Sequence, residues 1–145
     1  MKNKTVIDIA WLLNRITLGM LFVFAGVRKA IPKDDGSVID ALSGFANFVA
    51  ANAPLPRPLG LFYGYALPPV EVIAGLMLVI GFYSRVAATL IALMLLSFMI
   101  EMGIAWWPAE GPAFDPNAIL FTLALLLAVA GGGRFVVNRR SSKPS

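Results

Sequence analysis

Arg15, Glu71 and Glu101 stand inside long apolar stretches of the sequence. An unpaired charge at the centre of a bilayer costs about 2.5 to 3.5 kcal/mol on translocon-insertion scales, so each of these residues needs a partner or a task. Helical spacing puts Arg15, Gly19, Phe22, Gly26 and Lys29 on one stripe, and the same offsets further along give Glu71, Gly75, Leu78, Phe82 and Arg85. Arg28 and Lys29 close the first apolar stretch, while Glu71 and Glu101 are expected one turn below the same boundary. An outer cluster of two acids and two bases follows. Its chemistry would be a closed ion-pair network, a proton-handling carboxylate or a polar ligand pocket. At the opposite end Arg15 is expected to face Arg85 and Arg134 without an acidic partner. Such arginines snorkel to lipid headgroups, or bind an anion or an acidic partner. The glycines between the charges, Gly19, Gly26 and Gly75, let two backbones approach closely, as helices associating in lipid require.

The elements that must position these residues follow from composition. Of 145 residues, 59% are hydrophobic and 14% charged, and the mean hydropathy is +0.79. A soluble domain carries about 25% charged residues, so this chain needs an apolar medium over much of its surface. The pattern predicts one all-α, integral membrane four-helix bundle over 1–145, with spans at about 9–27, 67–83, 86–104 and 116–133. Pro68 and Pro69 are placed in the first turn of the second span, where a missing N–H is harmless. Gly81, Ser84 and Arg85 turn the chain tightly into the third span, and Asp115 and Pro116 open the fourth as N-cap and first helical residue. In the long first loop Val38, Leu42, Phe45 and Val49 recur with helical period, opposite Asp40, Ser43 and Asn47. They predict an amphipathic helix lying in the outer interface, with Ser37 and Asp40 as a capping box.

Lys2, Lys4, Arg85, Arg134, Arg139, Arg140 and Lys143 gather at the two termini and the second turn, which puts both termini in the cytoplasm by the positive-inside rule. Arg28, Lys29, Lys33 and Arg57 in the first loop are the minority against it. Tyr63, Tyr65, Trp106 and Trp107 fall at one proposed interface, and Trp11 and Tyr83 at the other.

The net charge of +4 is dispersed at the ends of apolar stretches, which is the distribution of topogenic charge and not of a nucleic-acid surface. With no cysteine and no histidine, the chain has no disulfide, thiol chemistry or iron–sulfur ligation, and lacks the commonest ligands of haem iron and zinc. No metal site is expected, and no cofactor in this chain.

The stretches RITLGMLFVFAGVRK, from Arg15 to Lys29, and PPVEVIAGLMLVIGFYSR, from Pro68 to Arg85, resemble the two most recognisable segments of the DoxX family. Arg15, Gly19, Gly26 and Lys29, then Glu71, Gly75, Gly81 and Arg85, carry the resemblance. It implies a small four-helix protein of the bacterial cytoplasmic membrane, with a relative that forms part of a thiosulfate:quinone oxidoreductase. Three functional readings stay open. The first is an accessory or anchoring subunit of a membrane complex, reaching quinone only through that complex and held to a protein partner or a second copy of itself. The second is a small-molecule enzyme or carrier whose pocket is lined by Arg15, Lys29, Glu71 and Arg85. The third is a chaperone for other membrane proteins. Besides the bilayer, an anionic lipid or a small hydrophobic ligand is the further partner these charges suit.

Overall fold

The structure, a computed structural model, describes residues 2–32, 35–102, 116–133 and 135–137. Its regular elements are all helical: α1 (Lys2–Ala30), α2 (Val38–Asn52), α3 (Arg57–Ile80), α4 (Ser84–Met102) and α5 (Pro116–Ala130). Among the described residues there is no strand.

The long helices exceed the boundaries that hydropathy suggests. α1 is 29 residues long, running through Lys2 and Lys4 at one end and past Arg28 and Lys29 at the other. At 1.5 Å per residue it reaches about 43 Å, more than the ~30 Å hydrocarbon thickness. The second segment differs most. α3 begins at Arg57, so Pro68 and Pro69 lie inside the helix and not in its first turn. Proline there removes two backbone donors, a cost that membrane helices tolerate where neighbours pack against the freed groups. α2 and α1 are those neighbours. Gly60 and Gly64 of α3 lie so close to α2 that a Cβ on either would come within 2.7 Å of the Ala50 or Ala46 Cα. α3 ends where Gly81 adopts a left-handed φ of 82°, and its N–H caps the carbonyls of Met77 and Leu78. α5 stops at Ala130, three residues short of the expected boundary, because Gly131 turns left-handed at φ 85°.

α2 forms as its periodicity predicts, and its N-terminus is tied by the expected box: Ser37 Oγ accepts from the Asp40 N–H, and Asp40 Oδ2 accepts from the Ser37 N–H at 2.8 Å. The Ser37 N–H, and after it the Ser37 hydroxyl, hold the Asp40 carboxyl below its ordinary range. The buried face is shifted from the predicted one. Val49 and Ala46 are buried against α3, whereas Val38 is exposed.

α1 and α3 run antiparallel, since Gly19 meets Gly75, while Gly26 meets Pro68 and Val72. α4 and α5 form a second antiparallel pair, with Gly132 after α5 against Ser84 at the start of α4. Leu18, Phe22, Leu78, Ile91, Leu95 and Leu127 fill the space between the pairs. Outside this core the surface stays apolar. α1 and α3 are long and apolar enough to cross a membrane, yet their most apolar windows are only 22% and 39% buried. Phe24, Phe62, Ile73, Leu93 and Val129 point outward. A water-soluble helix with that composition would hide it.

Candidate functional site: the charges buried along the α1–α3 seam

The seam owes its closeness to glycine. A Cβ added at Gly75 would stand 2.6 Å from the Gly19 carbonyl oxygen, and one at Gly26 would stand 2.6 Å from that of Pro68. Real Cβ atoms do not come so near, so the side chains flanking these glycines are drawn together.

At one end of the seam, the Lys29 end, Lys29 Nζ donates to both carboxylate oxygens of Glu71, each at 2.6 Å. The carboxylate side chain is 1% exposed and the lysine side chain 21%. Two rings hem in the ammonium: Phe45 of α2 at 5.2 Å and Phe98 of α4 at 5.7 Å from their centroids. Both distances suit cation–π attraction, which strengthens when the cation is desolvated. Residues of four helices therefore converge on one charge. The arrangement can neutralise a buried carboxylate, and it can hold α1, α2, α3 and α4 in one register. Nearby helices are tied by a further polar contact, between the Tyr63 hydroxyl of α3 and the Ser97 hydroxyl of α4.

At the other end, the Arg15 end, the solution is different. Arg15 is 3% exposed, and its Nη1 donates to the carbonyls of Gly132, at 3.2 Å, and Phe135. The chain after α5 folds back over this end, with the Val137 N–H donating to the Gly81 carbonyl at 3.1 Å. Gly81 and Gly132 make room: a Cβ on Gly81 would meet Arg15 Nη1 at 2.7 Å, and one on Gly132 would meet Ser84 Oγ at 2.7 Å. Two buried polar atoms, Arg15 Nε and Ser84 Oγ, have no hydrogen-bond partner among the described residues.

The structure thus sorts the candidates read from sequence. Lys29 and Glu71 come together. Arg28, next to Lys29, is exposed and takes no part in the pair. Glu101 lies on α4, but its side chain is outside the described residues, as is Arg134. The cluster of two acids and two bases becomes, among described side chains, a single pair. Its depth also changes: with α3 starting at Arg57, Glu71 lies roughly 21 Å along the helix and not one turn from its start. Instead of reaching outward as expected, Arg15 is buried, and the distant chain after α5, turned by its glycines, brings backbone carbonyls within its reach. Arg85 is exposed and lies against Gly131, so it shares a neighbourhood with Arg15 but no ligand. Phe82, the other distal member of the second stripe, lies beyond α3 and is exposed. Sequence reasoning did not single out Phe98, Gly60 or Gly64. The period of Gly60 and Gly64, one turn apart and facing small residues of α2, was the available signal; for Phe98 there was none. Among the described residues no group of His, Cys, Asp or Glu could hold a metal ion.

Comparison with known proteins identifies the kind of molecule that carries this seam. The family model described as methylamine utilisation protein MauE matches residues 7–113. The Escherichia coli (strain K12) inner membrane protein YphA is 29% identical over 136 residues, which cover 89% of this chain and 88% of that protein. No solved structure matches. The family found is not DoxX, and that resemblance is corrected: the segments 15–29 and 68–85 on which it rested fall inside the range matched by MauE. Glycines and charges spaced for close helix packing answer a demand common to membrane helix pairs, so they were a poor discriminator between families. The chain belongs to the MauE family, and with two long apolar helices facing outward it is a membrane protein.

Proposed function

We propose that this MauE-family chain is a four-span protein of the bacterial inner membrane, with both termini in the cytoplasm, acting as an accessory or anchoring subunit of a membrane complex. The observation that carries this reading is that the two buried charged side chains among the described residues, Glu71 and Arg15, both have partners within the chain. Lys29 occupies both oxygens of Glu71, and the tail carbonyls occupy Arg15. Groups committed to holding helices together are poor candidates for turnover, which leaves the outer surface of the bundle as the working part. That surface is apolar along α1 and α3, and it suits lipid and the helix of a partner alike.

The relative's description as an inner membrane protein supports the location. The basic residues at the termini and the α3–α4 turn support the orientation. In this reading α4 and α5 cross as the second hairpin. α5 has 15 residues and rises about 22 Å, so the bilayer thins or the flanking residues complete the crossing. The family's description names methylamine utilisation. An accessory role in such a process asks no redox centre of a chain without cysteine or histidine.

Purification in mild detergent, with mass spectrometry of everything retained, tests the role. A stoichiometric protein partner is expected. Recovery of the chain alone, or with only a bound small molecule such as a quinone, would transfer the choice to the carrier reading. Orientation is tested with an impermeant thiol reagent on intact cells, since the sequence has no cysteine of its own. Asp35→Cys should label and Ser142→Cys should not; the reverse pattern inverts the topology.

A further inference from the structure

Between the C-terminal end of α1 and helix α2 lies a groove of about 790 Å³. Its walls include Ile31, Ala41, Phe45 and Phe48, and its charged residues are Arg28, Lys29 and Asp40. Lys29 is neutralised by Glu71, which leaves one guanidinium and one carboxylate on the groove and no net charge. Both are exposed, and they are not paired with each other. Arg28 has no partner among the described residues. Asp40 is half used: Oδ2 accepts from the N–H and the hydroxyl of Ser37, each at 2.8 Å, while Oδ1 accepts from none of the described residues. The groove therefore sets a free donor and a free acceptor of opposite charge beside an apolar trough. Gly44, on the α2 wall, keeps the trough open, because a Cβ there would meet nothing within 4 Å.

We propose that this groove binds a zwitterionic phospholipid with a primary ammonium, a phosphatidylethanolamine, whose phosphate pairs with Arg28 and whose ammonium pairs with Asp40 Oδ1 while an acyl chain lies along Phe45 and Phe48. Charge complementarity selects a headgroup of both signs. An anionic headgroup would satisfy Arg28 and face the Asp40 carboxylate unpaired, and a cationic one would do the reverse. The two charges also differ in what they ask for. A guanidinium presents the forked donors that phosphate oxygens accept. A carboxylate oxygen asks for a donor, which a primary ammonium supplies and the quaternary ammonium of a choline lipid lacks. The trough selects an amphiphile over a free zwitterion, since a soluble headgroup would gain nothing from its aromatic wall. Its volume falls within the roughly 300 to 1,000 Å³ of small-molecule sites, room for a headgroup and part of one acyl chain. Its rim agrees. Ile39 and Phe48 of α2 are 74% and 59% exposed, an apolar edge that continues from the groove to the surface. The proposal rests on the placement of α1 across the membrane given above, which thiol labelling tests separately, and it does not depend on a protein partner.

The test uses the full chain, delipidated in mild detergent and titrated with the dioleoyl forms of phosphatidylethanolamine, phosphatidylcholine and phosphatidylglycerol, with bound lipid counted by native mass spectrometry. The parent should retain one phosphatidylethanolamine in preference to either of the others. Asp40→Asn removes the negative charge but keeps a side-chain oxygen for the Ser37 N–H, and it should invert the order, with phosphatidylglycerol now retained over phosphatidylethanolamine. Ser37→Ala loosens the same helix start with the charge intact and should keep the parent's order, so that the inversion reads charge and not fraying. Arg28→Gln, which removes the cation, and Gly44→Leu, which fills the trough from an open position, should each weaken retention of phosphatidylethanolamine about tenfold, equivalent to ~1.4 kcal/mol. Thermal unfolding of each variant shows that it is folded; none of these positions lies in the packed seam. Equal retention of the three lipids by the parent overturns the proposal, as does an unchanged order in Asp40→Asn or an inverted one in Ser37→Ala. Parental retention in Arg28→Gln or in Gly44→Leu also overturns it. So does a parent that holds no lipid over detergent, which gives the groove to a partner helix. Full displacement of the lipid by free phosphoethanolamine at matched concentration would remove the trough from the account and overturn the choice of a lipid.

Discussion

The two ends of the α1–α3 seam bury one cation each and satisfy it by opposite means. At one end Lys29 meets a carboxylate and two aromatic faces. At the other Arg15 meets backbone carbonyls of the segment that follows α5. A carboxylate cancels the charge, whereas carbonyls offer it only dipoles. The Arg15 end also keeps Arg15 Nε and Ser84 Oγ buried without hydrogen-bond partners among the described residues. The Lys29 end is thus a closed joint between helices, and the Arg15 end a latch on the segment after α5. The difference teaches that two charges on one helical stripe need not share a role. What each one meets is decided by the elements that happen to cover it.

Several substitutions would break or sharpen that contrast. The largest effect belongs to the Lys29–Glu71 pair. Lys29→Met or Glu71→Gln alone leaves its partner buried and unneutralised, a loss of about 3 to 5 kcal/mol. Thermal unfolding in detergent should show both single variants strongly destabilised and the double variant recovering much of the loss. Single variants as stable as the parent would dissolve the joint. The double variant also separates roles, since a purely structural pair lets it keep biological activity and a proton or ligand site leaves it folded and inactive.

Arg15→Met comes next, because the latch has no second side chain to remove with it. Loss of hydrogen bonds from a charged group costs about 1.5 to 3 kcal/mol, and here the loss should be local. A Val137→Cys reporter should react with a thiol reagent faster in the Arg15→Met background, while α1–α3 packing is retained. Equal reactivity in both backgrounds would mean that Arg15 does not hold the tail.

Between the two ends, Gly75→Ala pushes a Cβ toward the Gly19 carbonyl and the Val23 N–H. Overpacking of this kind costs about 1 to 3 kcal/mol, and it should weaken both ends together by parting the helices. Gly44→Ala, with open space around its Cβ, is the control and should leave the unfolding temperature unchanged.

The smallest effect is at the start of α2. Asp40 has its folded pKa below the ordinary 3.8, so its contribution to the helix start is complete above that value and is lost as pH falls through the lowered one. Hydrogen exchange of the first turn of α2 should quicken on acidification into that range. In Ser37→Ala the first turn should exchange faster already at neutral pH, with little further change on acidification.

Much of this was legible in the sequence by itself. The apolar stretches announced a membrane protein, and the period of Val38 to Val49 together with Ser37 and Asp40 announced α2 and its cap. The stripes of glycine flanked by charge placed Lys29 against Glu71, because helical periodicity is a local property and survives any packing that keeps the helices straight. Tertiary structure alone decided the rest. α3 extends back to Arg57 through two prolines because α2 packs on its glycines there, a compensation that lies outside the local chain. Phe98 reaches Lys29 only because α4 is folded across the pair. Arg15 finds carbonyls and not headgroups because the chain after α5, more than a hundred residues away, turns back over it. A sequence states which groups must be satisfied; which atoms satisfy them depends on what distant segments are brought within about 3 Å, the reach of a hydrogen bond.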